Sequence, residues 1–292
     1  MQKLIETYLR ILGDRIETLV IVMLLGKRTS GKGTLSEILC HLLACYGTHL
    51  TISVSGVMDK HIAMYQEDHN YQLGRRLLEQ ADIRSKGGLL SDEPVTESTF
   101  GEIIDFAQLE DGKLILYLDG FPRTVIQARA LFAVCKNAIG IYPQISNDEV
   151  FIRAIRRTKE RAERGEGQRP DDEPIALKRH LESWPKTAQA IETIRAQYPN
   201  SICAFDGMSP IRQQIKLALA HMGFKPKEIT KIMKPLDDNP AHKAYEIVHR
   251  LEGHGDSREI LTQRALATER PGEPRWLNFA GPIGEVQSRL RA

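Results

Sequence analysis

Three features of this 292-residue sequence predict an α/β fold, doubly wound around a central parallel sheet. Two near-continuous apolar runs, "TLVIVMLLG" at 18–26 and "KLILYLDG" at 113–120, have the composition of strands buried on both faces. Around them lie three weaker strand candidates, "HLTISVSG" at 49–56, "AIGIYP" at 138–143 and "SICAFDG" at 201–207. Segments of helical period separate these runs, so successive strands are joined by right-handed helical crossovers.

Taken in order, residues 1–17 read as a short amphipathic helix; acidic residues throughout and no small-residue cleavage site distinguish it from a secretory signal. Helices are expected over 32–45, 72–84, 97–109, 124–135, 147–164, 173–195 and 211–222. Beyond 224 the pattern changes. Residues 225–292 carry many prolines and no strand pattern. Asn239 with Pro240 can start one helix, with Ala241, Ala244, Tyr245, Val248 and Leu251 on one face, and Asp256 with Glu259 resembles the capping box of another. The organisation read from this is a helical extension (1–17), a main domain (18–224) and a partly helical extension (225–292).

Composition excludes some functions. Forty basic residues nearly balance 38 acidic ones, so the net +2 gives no global attraction to nucleic acid or to a membrane surface. No apolar run reaches the roughly 18 residues of a membrane span. The four cysteines (Cys40, Cys45, Cys135, Cys203) form no CxxC pair and sit in apolar contexts, which predicts buried reduced thiols and a cytoplasmic location.

The chemistry begins at "LLGKRTSGKGT", 24–34. Gly26, Gly31, Lys32, Gly33 and Thr34 satisfy most of the pattern G-x-x-x-x-G-K-[ST], with Gly33 inserted before the hydroxyl. A loop that wraps a polyphosphate must aim backbone N–H groups inward, which calls for glycines; the helix that follows offers its positive end, and a lysine adds a mobile charge. A buried strand before the loop and the helical period of Leu35, Ile38, Leu39 and Leu42 after it supply the context this motif needs.

Four further segments narrow the reaction. In "YLDGFPRTVIQA", 117–128, Asp119 ends a strand where a carboxylate can hold the water shell of Mg²⁺, and the Gly120–Pro122 turn delivers Arg123 to the same crevice. "VSGVMDK", 54–60, follows the strand after the loop helix, and "GGLLSDEPV", 87–95, is a turn entering a helix. In "RRTKERAERGEGQRPDDEP", 156–174, Arg157 and Arg161 stand one helical turn apart, followed by Arg164, a glycine-bearing stretch, Arg169, Asp171 and Asp172. Arg153, Arg156 and Arg164 read as a solvated helix face, and the rest as a cover that closes over a polyphosphate and excludes water.

With "GKRTSGKGT", "GGLLSDEPV", "LDGFPRT" followed by Gln127, and "RPDD" in this order, the chain from about 19 to 224 resembles an adenylate kinase, a nucleoside monophosphate kinase of the short-lid kind. The resemblance implies a P-loop NTPase-type three-layer fold with a central parallel sheet, an acceptor-binding helical insertion over about 54–90 and a short lid over about 161–172. It implies that Gly26, Thr29, Ser30, Gly31, Lys32, Gly33 and Thr34 hold the ATP phosphates and that Arg157 lies against the ATP base. Ser55, Gly56, Lys60, Leu90, Gly120, Arg123 and Gln127 would bind AMP, with Arg123 on its phosphate and Gln127 on its adenine. Asp119 would support Mg²⁺ through water, Arg161 and Arg169 would stabilise the transferring group, and Asp171 and Asp172 would orient these arginines. No cysteine lies in the lid, so no zinc is expected. The implied partners are ATP, AMP and ADP, with no nucleic acid and no membrane, for a protein that works as a monomer.

The sequence departs from the family pattern at three points: Val57 replaces an aspartate, Lys60 an arginine, and His180 stands where an arginine is implied. His180 is either a surface substitution or a group whose charge changes near pH 6.5. Two alternatives to adenylate kinase follow, a UMP/CMP kinase and a weakened ATP-binding regulatory module. Ser55, Thr124 and Asp92–Glu93 favour AMP; Lys32, Arg123, Arg161, Arg169 and Asp119 favour an active enzyme.

Overall fold

The computed structural model describes residues 1–85, 90–109, 112–135, 138–168 and 172–253. Five strands, β1 Leu19–Leu24, β2 Thr48–Ser53, β3 Leu114–Asp119, β4 Ile139–Gln144 and β5 Ile202–Asp206, form one wholly parallel sheet in the order β2-β3-β1-β4-β5. The β1–β3 register runs from Leu19 opposite Leu114 to Leu24 opposite Asp119, and β2 ends with Ser53 opposite the same aspartate. The C-terminal ends of these strands are therefore level.

Alternation along the strands divides the core in two. Leu19, Ile21 and Met23 of β1 and Leu114, Leu116 and Leu118 of β3 face one layer; Val22, Leu24, Ile115 and Tyr117 face the other. The first layer is covered by α1 Gln2–Leu12, α6 Asp92–Leu109, α7 Val125–Val134 and α9 Pro174–Gln197. The second is covered by α2 Lys32–Leu42 and α10 Ile211–His221. Buried faces on both sides explain why β1 and β3 are continuously apolar in sequence.

Three helical expectations change. "VSG" reads as the end of a strand, but the chain turns into helix α3 Val54–Glu67 at Val54, because Ser53 caps it by accepting the Gly56 N–H at 3.0 Å. The single helix expected over 72–84 is split into α4 Gln72–Leu78 and α5 Ala81–Ser85. The helix expected from 97 begins at Asp92, whose carboxylate accepts from the Thr124 hydroxyl at 2.6 Å.

Past 224 the chain continues as α11 Pro226–Met233, α12 Pro235–Asp238 and α13 Lys243–Gly253. Ile229, Ile232, Met233, Leu236, Ala244, Ile247 and Val248 all enter the second core layer, beside Leu35 and Ile38 of α2. Arg212 of α10 fastens them through Asp237, Glu252 and the Leu236 carbonyl. The capping box expected at Asp256 lies outside the described residues.

The cysteines differ from expectation in one respect. Cys135 is buried and Cys40 and Cys203 half-buried, but Cys45 is exposed, since it lies in a 3₁₀ turn beyond the end of α2. None of the four is in a disulfide. No described helix is long and apolar enough to cross a membrane.

Candidate active site

The loop after β1 folds as its glycines require. Gly26 has φ 133°, and a Cβ there would meet the Ser30 hydroxyl at 2.9 Å and the Pro143 carbonyl at 3.2 Å. Gly31, φ 92°, forms the N-cap of α2, and Lys32 opens the helix with its Nζ donating to the Lys27 carbonyl at 3.3 Å. Ser30 is buried and its hydroxyl has no protein partner.

The outer half of the loop is tied to its neighbours. Lys27 Nζ donates to the Ile145 carbonyl (2.8 Å) and to Asn147 (2.7 Å), at the start of α8 Asn147–Glu163. The Thr29 hydroxyl lies 3.1 Å from the Val150 carbonyl. Arg153, which the sequence reads as solvated, is a structural clamp instead. Its guanidinium pairs with Glu149 (2.8 Å) and donates to the carbonyls of Thr29 (3.4 Å) and Gly207 (2.8 Å), with its side chain 17% exposed.

The ends of β1 and β3 open into a crevice walled by Gly26, Arg28, Lys32, Arg123, His180 and Trp184 among others. Of the described residues that line it, three are cationic and none acidic. Asp119 flanks it, its carboxylate 3.6 Å from Lys32 Nζ. Burial pushes Lys32 down from the ordinary lysine range, Asp119 opposing the shift and Arg123 and Arg28 adding to it; burial also lowers Arg123. Surplus positive charge gathered in one crevice in this way is a receptor for anions.

His180 is neither surface nor switchable near pH 6.5. It reaches the crevice from α9, where its Nε2 accepts the Arg28 backbone N–H at 3.1 Å and its ring lies 5.8 Å from that of Trp184. Burial, followed by the charges of Arg28, Arg123, Lys32 and Lys27, lowers its pKa to about 3. It is a neutral acceptor.

On the other side of the crevice, Gln127 Oε1 accepts the Arg123 backbone N–H at 2.8 Å, and Thr124 caps α7 by accepting from Gln127 N. Ser55 and Gly56 lie in the first turn of α3, the Ser55 hydroxyl 3.5 Å from that of Ser53. Lys60, expected on an acceptor phosphate, is ion-paired with Glu102 of α6, and Arg84 with Asp59. Leu90 packs against the first core layer.

Of the residues expected in or beside a lid, the described ones pair with their neighbours and do not line the crevice. Arg157 forms a two-pronged pair with Asp172, whose side chain is 0% exposed. Arg161 donates to the Gly167 carbonyl (2.9 Å) and pairs with Glu166 (2.8 Å), which also holds Arg164 (2.7 Å). Neither Arg157 nor Arg161 lines the crevice. Arg169 and Asp171 lie outside the described residues. Arg28 and Glu166 are site features the sequence did not single out; the two charges after Gly26 were the available signal for Arg28.

A parallel sheet with a phosphate loop at the end of its central strand, and with lysine and arginine converging beyond it, defines a P-loop phosphotransferase. The chain is 30% identical over 198 residues to an adenylate kinase of Xanthobacter autotrophicus, covering 66% of this chain and 92% of that protein. It is 34% identical over 139 residues to one of Methylorubrum extorquens (46% and 67%) and 29% over 195 residues to one of Methylobacterium radiotolerans (65% and 89%). No protein-family model matches. A sulfotransferase of Mycobacterium tuberculosis superposes with a TM-score of 0.44 at 11% identity, over 86% of this chain and 81% of that one, too loosely to bear on the fold. The chain belongs to the adenylate kinase family and is a phosphotransferase of the nucleoside monophosphate kinase type.

Proposed function

We propose that the protein is an adenylate kinase, transferring the γ-phosphoryl group of ATP reversibly to AMP, with Mg²⁺, to give two ADP. The observation that carries this reading is the convergence of Lys32 and Arg123, from the ends of two adjacent strands, on one crevice whose described lining has no acid. Lys32 and N–H groups of the 26–34 loop, that of Arg28 excepted because it is held by His180, would hold the ATP phosphates, and Arg123 the acceptor phosphate. Gln127 orients Arg123 through its backbone N–H and would use its amide on the adenine.

Asp119, a single carboxylate at a strand end, suits an ion that takes most of its ligands from phosphate and water; Mg²⁺ bound there would neutralise charge on the β- and γ-phosphates. Among the described residues no cluster of three or more His, Cys, Asp or Glu could hold a metal alone. An oxygen of the acceptor phosphate attacks the γ-phosphorus and the bridging oxygen leaves with ADP. No side chain needs to act as a nucleophile, so catalysis is placement and charge neutralisation. Lid closure would exchange Glu166 and the Gly167 carbonyl for phosphoryl oxygens on Arg161, with Arg169 joining it and Asp171 and Asp172 steadying the arginines. Arg157, held by Asp172, would lie against the ATP base. The protein would act as a cytoplasmic monomer on free nucleotides.

The pairing of Lys60 with Glu102 favours a second reading, an ATP-binding regulatory module with weak acceptor binding. Incubation with Mg-ATP and, in turn, AMP, CMP, UMP and GMP separates the readings. ADP production that depends on AMP is expected. Turnover confined to CMP or UMP means a pyrimidine nucleotide kinase, and ATP binding without turnover means the regulatory module.

A further inference from the structure

One crevice cation has no role in the account so far. Arg28 sits in the phosphate loop two residues past Gly26 and lines the crevice with Lys32, Arg123 and His180. Its charge is felt by all three, lowering the proton affinity of each. Arg28 therefore shares one crevice with both the residue expected on the donor phosphates and the residue expected on the acceptor phosphate.

The placement of Arg28 is built into the loop. On one side, Lys27 is pinned to the Ile145 carbonyl and Asn147. On the other, Thr29 adopts φ 58°, a left-handed conformation that β-branched residues rarely take. Its hydroxyl lies 2.6 Å from the Arg28 carbonyl and 3.1 Å from that of Val150, and Arg153 donates to its own carbonyl. Across the crevice, His180 Nε2 accepts the Arg28 N–H at 3.1 Å. To accept there, the ring must carry its proton on Nδ1 and stay neutral; protonated, it would lose the bond and add a fourth positive charge. Loop, α8 and α9 thus hold one residue from three directions.

We propose that Arg28 contacts the transferring phosphoryl group from within the phosphate loop, and that His180 is the positioning residue that aims it by accepting its backbone N–H. This rests on the phosphoryl-transfer reading of the crevice. In the step itself the bond between the γ-phosphorus and the bridging oxygen breaks and a bond to an acceptor-phosphate oxygen forms. ADP carries away the electron pair of the broken bond. Arg28 neutralises charge on the equatorial oxygens, and neither it nor His180 gives or takes a proton.

The test has two arms. In turnover assays with Mg-ATP and the accepted monophosphate, Arg28→Ala should lower kcat about 10³-fold while acceptor KM changes by less than about fivefold, and added guanidinium should restore part of the rate. His180→Phe should lower kcat about tenfold or more, and His180→Gln, whose amide oxygen can accept the same N–H, should recover most of it. Arg28→Ala retaining kcat within about threefold, or Phe and Gln at 180 behaving alike, would overturn the proposal. The second arm is independent of turnover: titration calorimetry of inorganic tripolyphosphate into the whole protein. Binding should weaken about tenfold in Arg28→Ala, and unchanged affinity overturns the contact even for a protein that transfers nothing. Wild-type protein that binds tripolyphosphate through Arg28 but turns over no monophosphate would instead refute the kinase reading alone. Arg28→Lys, keeping the charge without the fork, should fold like wild type and fall between wild type and alanine in both arms.

Discussion

Arg153 and His180 show how a residue's meaning depends on what faces it. Arg153 lies four residues after Glu149 on a helix rich in charge, a pattern that reads as solvated. Nothing local reveals that its other donors meet the Thr29 and Gly207 carbonyls, because those lie 124 and 54 residues away. Arg153→Ala should cost about 2 kcal/mol in urea unfolding, and an unchanged midpoint would show the clamp to be idle. His180 was recognisable as a departure but not as an acceptor, since its partner is a backbone N–H 152 residues away. Its folded pKa of about 3 lies below the unfolded value of 6.5, so the unfolded chain binds the extra proton between those limits. Its contribution makes stability fall as the pH drops below about 6.5, with a slope approaching 1.4 kcal/mol per pH unit. His49 and His61 are lowered too, also chiefly by burial, so the contribution of His180 is read by difference. Urea unfolding of wild type and His180→Gln should diverge between pH 6.5 and 4, and parallel pH curves would refute the assignment.

At the scale of elements, the five strands and the phosphate loop were legible because each is a local pattern: an apolar run with a glycine-rich break. Helix α3 was not. Its opening "VSG" looks strand-like, and only the Ser53 cap together with the burial of Val57 and Met58 makes it helical. The α3–α4 pair also depends on a close approach at Gly74, where a Cβ would meet the His61 carbonyl at 2.2 Å and Tyr65 Cβ at 2.6 Å. Gly74→Ala should therefore force the two helices apart. The expected result is a loss of about 2–3 kcal/mol and a higher acceptor KM with ATP KM little changed. Equal stability of the two proteins would mean that the helices separate freely.

For the whole molecule, the tail is where sequence and structure part most. Proline content and absent strands mark 225–292 as distinct, yet Pro226–Gly253 packs into the core layer that supports α2, the helix behind the phosphate loop. The burial could not be read from sequence, since α11 and α12 are too short to show a clear period and their partners lie on α2 and α10. Truncation before residue 225 removes seven buried apolar side chains and should lower stability by more than about 5 kcal/mol; a truncated protein melting within a few degrees of the full chain would show the tail to be peripheral.

The central claim is that donor and acceptor phosphates meet end to end in a single crevice, between Lys32 and Arg123. Titration calorimetry with diadenosine pentaphosphate, which spans both nucleotide positions, tests it most directly. One molecule should bind per chain, displacing both ATP and AMP, and binding should be lost in a Lys32→Ala, Arg123→Ala double variant that still folds. Displacement of one nucleotide without the other, or affinity unchanged in the double variant, would contradict the account.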